Sequence, residues 1–370
     1  MIKTYLEKLI QFKTISKDLD ANHKALSWII KEIKDLPLFI KEYKNNGFSS
    51  LIITTRKTKS PHILLAAHMD VVNGSDDIFQ MKVKGGKVFG RGSFDMKYAI
   101  AIYLTLLKNL GDDLTKLDLA IMITSDEELG GFNGVNYLLS KKGYDCNICI
   151  LPDGGKDWQL VTETKGILQL KIIAKGKSAH SSKIWLGRSA THDLIDFIAK
   201  LRQNKMFNKD RYETSDSFAE HYYNTINVGK ITGGDVANQV VDHAEALLDI
   251  RFVSQEREYE IFSLVQNIAE EFPHISLEKK ITGNPVKVDT NNKYIKKFTR
   301  IAADILGEEI KPSLTHGTSD ARFFEKHAIP VIITRPVGGG HHSEEEWISE
   351  KGLIEFYQII ERFVLTNMHS

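Results

Sequence analysis

Four apolar, strand-like runs in this chain each stop at an acid or a histidine, and that arrangement constrains the fold more than any other feature. Ile63 to Ala67 stops at His68-Met69-Asp70, Leu119 to Thr124 at Asp126-Glu127-Glu128, and Ile148 to Leu151 at Pro152-Asp153. The fourth run, Pro330 to Thr334, leads through Gly338-Gly339-Gly340 to His341-His342. In open α/β sheets ligands bind beyond the carboxyl ends of the strands, so these side chains are expected to converge in one cleft. Imidazoles and carboxylates gathered in this way predict a metal site.

Between these runs lie helical stretches such as Lys97 to Leu110 and Gly134 to Leu139, and a further strand-like run covers Leu51 to Thr55. Such alternation is the pattern of an α/β domain with a mostly parallel central sheet. From about Lys165 the texture changes. Strand-like LQLKIIAKG, a helix near His192 to Arg202, strands INVGKITGG and AEALLDIRF, a helix over Glu256 to Glu271 and strand-like HISLEKKI follow one another. Two β-α-β units of that kind predict a ferredoxin-like α+β insert. Helix, strand and helix then resume at Tyr294 to Leu306, Pro330 to Thr334 and Glu350 to Leu365. The expected division is 1–164 and 283–370 as the two parts of a catalytic domain, with 165–282 as the insert. A chain of 370 residues with 42% hydrophobic content is long enough for that.

The 49 basic and 48 acidic side chains leave a net charge of +1, with no basic block, so no nucleic-acid partner is implied. The N-terminal stretch carries Lys3, Glu7, Lys8, Lys13 and Lys17, which deprives it of the apolar core of a signal peptide. No run approaches the ~20 apolar residues of a membrane span, so the expectation is a cytoplasmic protein without a membrane partner. Cys146 and Cys149 form an isolated C-x-x-C within strand-like YDCNICILPD, and that placement favours core packing over redox or metal chemistry.

Each motif has a plain structural reading beside its chemical one. Side chains at i and i+2 of a strand share a face, so Asp70 sits beside His68 and is placed to accept its second ring N–H, fixing the tautomer offered to a metal. A buried histidine bonded to its neighbour would look the same. Asp95, in GRGSFDMK, lies between a glycine-rich turn and a helix, where it suits either a helix cap or a ligand. Three consecutive acids at 126–128 repel one another unless cations or water neutralise them. Adjacent residues point in different directions, so one glutamate can hold a metal while its neighbour works on water. Asp153, followed by two glycines, is a turn aspartate or a ligand. In GGGHHSEEEW the spacing to Glu346 favours His342 as the ligand, with His341 kept as a group behind it.

Six motifs, HMDVV, GRGSFDMK, TSDEELGG, GKSAHSS, HGTSDARF and HHSEEEW, occur in an order and spacing that resembles the dinuclear zinc hydrolases. That family includes succinyl-diaminopimelate desuccinylase, acetylornithine deacetylase, aminoacylase, glutamate carboxypeptidase and several di- and tripeptidases. The resemblance covers nearly the whole chain.

The resemblance implies that Asp95 bridges two Zn2+ ions, with His68 and Asp153 completing one site and Glu128 and His342 the other; Co2+ or Mn2+ would be substitutes. It implies that Glu127 is the general base, that Asp70 supports His68, and that the peptide bond after Asp95 is cis. His180 resembles a histidine that reaches the active site, often from a partner subunit, to stabilise an oxyanion. Asn238 and Arg251 resemble a substrate-anchoring pair, with Arg251 suited to a carboxylate. Gly317 and Arg322 are further candidate substrate contacts, although Arg322 also suits a helix-surface charge. The family's zinc-exopeptidase-like catalytic domain carries an inserted lid or dimerisation domain, so a homodimer is expected. The chemistry fits: two metal ions roughly 3.5–4 Å apart activate a water and polarise a carbonyl, and a carboxylate returns the proton to the leaving amine.

The departures are Asn73 and Val241, where the family often has proline, and Phe94, where a small residue is usual before the bridging aspartate. None removes a ligand or the base. No H-E-x-x-H, phosphate loop, G-x-G-x-x-G or G-x-S-x-G is present. Three readings follow. The first is a zinc-dependent exopeptidase or dipeptidase acting on small peptides with a free carboxylate. The second is a deacylase of N-acyl amino acids, of the acetylornithine deacetylase or succinyl-diaminopimelate desuccinylase type. The third is a catalytically silent metal-bearing binding protein, against which Glu127 argues.

Overall fold

The computed structural model describes residues 1–208, 221–254 and 256–367. These divide into two compact units. The first comprises Met1–Thr162, Val288–Ser313 and the chain from Ser319 onward, and the second Glu163–Lys287 with Leu314–Thr318.

At the centre of the first unit is a six-stranded sheet in the order Phe39–Asn45, Phe48–Thr54, Leu119–Thr124, Ile63–His68, Ile148–Ile150 and Val331–Ile332. The last four strands are mutually parallel, and the first two form an antiparallel hairpin at one edge. Strands Ile63–His68 and Leu119–Thr124 are buried along their whole length, so both faces are covered and alternation gives way to continuous apolar runs. Helix Lys97–Leu110 is buried from Lys97 through Leu107, which explains why it is hydrophobic all round. Its Tyr98 hydroxyl donates to the Pro152 carbonyl at 2.8 Å, tying this helix to the turn that carries Asp153. Cys146 and Cys149 are free and buried, and burial pushes both thiols up, away from the reactive thiolate.

The second unit is built on a four-stranded antiparallel sheet ordered Thr225–Gly233, His243–Phe252, Gly166–Lys175 and Ile275–Gly283. Helices Ala190–Arg202 and Glu258–Ala269 complete a β-α-β-β-α-β sequence, the ferredoxin-like pattern. Leu168, Leu170 and Ile172 alternate inward and pack with Phe197, Leu201, Ile250 and Val265. The second unit runs through Lys287, past the expected exit at 282, and takes in the later strip 314–318. Among the described residues no helix is long and apolar enough to cross a membrane.

Candidate metal centre

Three neighbouring parallel strands, Leu119–Thr124, Ile63–His68 and Ile148–Ile150, end side by side and deliver the acids and the first histidine to one edge. His68 is the last residue of its strand and is buried. Its Nδ1 lies 2.9 Å from the main-chain oxygen of Asp70 and 3.6 Å from Asp70 Oδ1. A carbonyl can only accept, so Nδ1 donates to it and Nε2, 3.2 Å from Asp95 Oδ1, is the nitrogen left for a metal; although burial opposes it, Asp70 and Asp95 raise the metal-free ring well above its ordinary value, so that Nε2 then carries a proton. The tautomer offered to a metal is therefore set mainly by the Asp70 carbonyl. The Asp70 carboxylate is engaged elsewhere: its two oxygens accept the backbone N–H groups of Glu127 and Glu128, each at 3.1 Å.

Asp95 is buried in the turn before helix Lys97–Leu110, and the Asp95-Met96 peptide bond is cis. Its side chain does not cap that helix; it faces two groups of ligand atoms. Oδ1 faces His68, while Oδ2 lies 2.7 Å from His341 Nε2 and 3.1 Å from His342 Nε2. His342 Nε2 also lies 3.1 Å from Glu128 Oε1. The two histidine rings stack with centroids 3.8 Å apart. Where the sequence put His341 behind the ligands, its ring nitrogen thus touches Asp95 as His342 does. A second cluster joins His68, Glu127 and Asp153, so Glu127 stands among ligand atoms.

The charges of this centre are poised for a cation. Burial and then the Asp153 charge push the Glu127 carboxyl well above the usual carboxylate range. Burial, followed by Asp95, raises Asp153 in the same way. Although burial opposes it, the contacts with His341, His342 and His68 hold Asp95 well below its ordinary value. His342 is raised to about 10 by Asp95 and Glu128. Buried and half-buried carboxylates that repel one another, interleaved with imidazoles that take up protons, have the nitrogen and oxygen donors that suit zinc, manganese or cobalt.

Residues outside the expected set hold these donors in place. Glu346, buried, accepts the N–H groups of Gly92, Phe94 and Asp95 and pairs with buried Arg91. Lys97 Nζ is buried against the carbonyls of Leu9 and Phe12, and burial lowers it to about 7. A carboxylate among three consecutive glutamates, four residues after His342, was the one signal available for Glu346. Arg322 does not stand at a helix surface: it is buried, donates to the carbonyls of Gly130 and Ser319, and lies over the Phe323 ring.

The remaining candidates lie in the second unit. His180 is exposed, and its strand pairs with Gln239–Val240, so His180 and Asn238 share one short ribbon. The Ser182 N–H donates to His180 Nδ1 at 3.2 Å, which leaves the neutral ring with its proton on Nε2, a donor without a hydrogen-bond partner among the described residues. Arg251 is half-buried, with Nε and Nη2 on the Asp249 carboxylate and Nη1 3.5 Å from Thr318 Oγ1, next to exposed Gly317.

The sequence matches the description of Peptidase family M20/M25/M40 over residues 64–366. The chain belongs to this family. A probable succinyl-diaminopimelate desuccinylase of Staphylococcus epidermidis is 26% identical over 316 residues, covering 77% of this chain and 77% of that protein. A [LysW]-lysine/[LysW]-ornithine hydrolase of Sulfurisphaera tokodaii is 29% identical over 290 residues, with 78% and 76% covered. The solved structure of an M20 family metallo-carboxypeptidase from Sulfolobus solfataricus matches with a TM-score of 0.78 at 18% identity, covering 98% of each chain. The M20/M25/M40 assignment makes the chain a metallohydrolase with the α/β fold of its solved neighbours.

Proposed function

We propose that this M20/M25/M40 protein is a dinuclear zinc-dependent amide hydrolase, with small peptides bearing a free carboxylate as its first substrate class. The observation that carries the reading is Asp95, whose two oxygens face two different sets of donors, His68 on one side and His341 and His342 on the other. A carboxylate so placed suits a bridge between two cations. His68 and Asp153 would hold one ion and Glu128 and His342 the other, while the ions would supply activation of water and polarisation of the scissile carbonyl.

In this reading Glu127 takes a proton from the attacking water as the new C–O bond forms. It returns that proton to the amide nitrogen as the C–N bond breaks, so that the product leaves as a neutral amine. His180 donates Nε2–H to the oxyanion, Asn238 and Arg251 hold the substrate's carboxylate end, and Gly317 and Arg322 border the substrate. We further place the enzyme in the cytoplasm as a homodimer assembled through the second unit. The edge strand Thr225–Gly233 supports that assembly, being largely exposed and paired on one side with His243–Phe252.

A second reading, a deacylase of N-acyl amino acids, is favoured by the names of the desuccinylase and [LysW]-lysine hydrolase relatives. The test is hydrolysis of a mixed panel of dipeptides and N-acetyl, N-succinyl and longer N-acyl amino acids by zinc-loaded protein, beside a chelated control. Chelator-sensitive turnover of dipeptides supports the peptidase, and turnover of acyl amino acids alone replaces it with the deacylase. Metal uptake without turnover of any substrate in the panel would favour a metal-bearing binding protein.

A further inference from the structure

We infer that Glu346 is the positioning residue of the Asp95 carboxylate, and that it locks the histidine-bearing loop to the turn that carries Asp95. The inference rests on the metal-site reading above and adds to it a group that touches no ion.

All four hydrogen bonds of the Glu346 carboxylate go to one short segment. Oε1 accepts the N–H groups of Phe94 at 2.9 Å and Asp95 at 3.0 Å, and Oε2 accepts the Gly92 N–H at 3.0 Å and Arg91 Nη1 at 2.8 Å. Both side chains of the pair are at most 2% exposed. A buried ion pair adds little to stability over an apolar pair of the same volume, because desolvation offsets the Coulomb gain. Stability alone therefore does not account for a carboxylate aimed at three successive-turn amides beside the site. Fixing the backbone on which Asp95 is mounted does account for it, since outer hydrogen bonds orient the groups that hold a metal.

The loop is shaped for this grip. Gly340 has φ +71°, and a Cβ there would lie 2.3 Å from the Glu345 oxygen and 2.8 Å from the Glu346 nitrogen, so only glycine permits so tight a return. That return sends His341 and His342 to one side of Asp95 and Glu346 to the other end of the same turn. Further stitches hold the loop. Glu344 accepts the Ser75 N–H at 3.1 Å, and Arg91 Nη2 donates to the Asn73 carbonyl at 3.1 Å. The histidine loop, the Asp95 turn and the segment after Asp70 thus form one connected frame, and displacement of any part moves ligand atoms in the others.

The experiment is titration of metal-free wild type and Glu346→Gln with Co2+ against a competing chelator, followed by the visible absorption of the bound ion. The glutamine keeps the shape but turns an NH2 towards donors, so the expected result is an affinity about 10–100-fold weaker and an altered cobalt spectrum. Arg91→Lys keeps the charge beside Glu346 but loses the fork that also reaches the Asn73 carbonyl, so it is expected to weaken cobalt binding, though less than Glu346→Gln does; a larger loss than that of Glu346→Gln would move the positioning role to Arg91 and overturn the inference. Should Glu346→Gln not fold, the double variant Arg91→Met, Glu346→Gln removes both halves of the buried pair and is expected to show the same loss. A folded single or double variant with wild-type affinity and spectrum would overturn the inference. Failure of both to fold would overturn it too, in favour of a purely structural pair. Wild type that takes up no cobalt would sink the metal-site reading itself.

Discussion

The two carboxylate oxygens of Asp70 each receive a backbone N–H, one from Glu127 and one from Glu128, both at 3.1 Å. One buried aspartate therefore holds the turn that presents both the proposed base and a proposed ligand, while its own carbonyl orients His68. Asp70→Asn retains the shape and the carbonyl contact but sets an NH2 against one of the two amide donors. We expect kcat to fall about 10–100-fold with KM little changed, as for other lost supporting groups. Steady-state kinetics with metal held saturating is the check, and an unaltered kcat would make the two N–H bonds incidental.

Glu127 lies among His68 and Asp153 yet belongs to a different part of the proposed reaction. Glu127→Ala is expected to retain bound metal while losing about 10²–10⁴-fold in turnover, the range for a positioned general base. Metal content by elemental analysis, measured beside kcat, separates the two roles. Loss of one metal equivalent together with activity would identify Glu127 as a ligand and move the base elsewhere.

The metal-free centre stores protons where the cations would sit. His342 is raised to about 10 by Asp95 and Glu128, while burial raises Glu127 and Asp153, helped by the Asp153 charge on the first and the Asp95 charge on the second. For a raised group the stabilising protonation is complete below the unfolded value, ~6.5 for histidine, and is lost as pH climbs through the folded value. Metal-free protein should thus lose the His342 contribution between about pH 6.5 and 10, whereas the lowered Asp95 acts in the opposite sense on the acid side. Metal must displace the same protons, so apparent affinity should rise with pH across that window. Calorimetric titration in buffers of different ionisation enthalpy reads the released protons directly. His342→Gln should release fewer; equal release would exclude His342 from the site.

His180 carries its neutral-ring proton on Nε2, because Nδ1 accepts from the Ser182 N–H. As an oxyanion donor its loss in His180→Ala should lower kcat by about 10²–10³. Metal content should not change, and a wild-type rate would remove His180 from the mechanism.

Legibility in the sequence followed the range of the interactions. Continuous apolar runs ending at an acid or a histidine identify the three central strands, because burial on both faces leaves no freedom of pattern at 63–68 and 119–124. Helix Lys97–Leu110 has the bounds expected of it, since Gly111 stops it with φ +50°. The edge hairpin is only half recognised. Asn46-Gly47, both at positive φ, joins Phe39–Asn45 to Phe48–Thr54, but Lys41, Glu42 and Lys44 on the exposed outer strand obscure its pattern. In the site, residues on neighbouring strand ends could be read. Glu346 reaching back to Gly92 across 254 positions could not, because a buried glutamate in a run of three has no local mark of burial. The same holds for His341, whose contact with Asp95 depends on the tight turn at Gly340.

Phe94, the residue before the proposed bridging aspartate, is accommodated by a glycine distant in sequence. A Cβ at Gly338 would lie 2.2 Å from Phe94 Cδ2, and the Arg335 guanidinium lies 4.1 Å from the centre of the same ring, which is buried. A ring packed in this way has neighbours to displace if it is to make room. Gly338→Ala should cost about 1–3 kcal/mol of stability, the usual range for overpacking. The Phe94 N–H is held by the same Glu346 oxygen as that of Asp95, so the variant should also weaken metal binding. Phe94→Ala in the Gly338→Ala background removes the clash, and denaturation of metal-free protein should show most of the loss recovered. If Gly338→Ala alone leaves stability and metal affinity unchanged, the glycine is not what makes room for the ring.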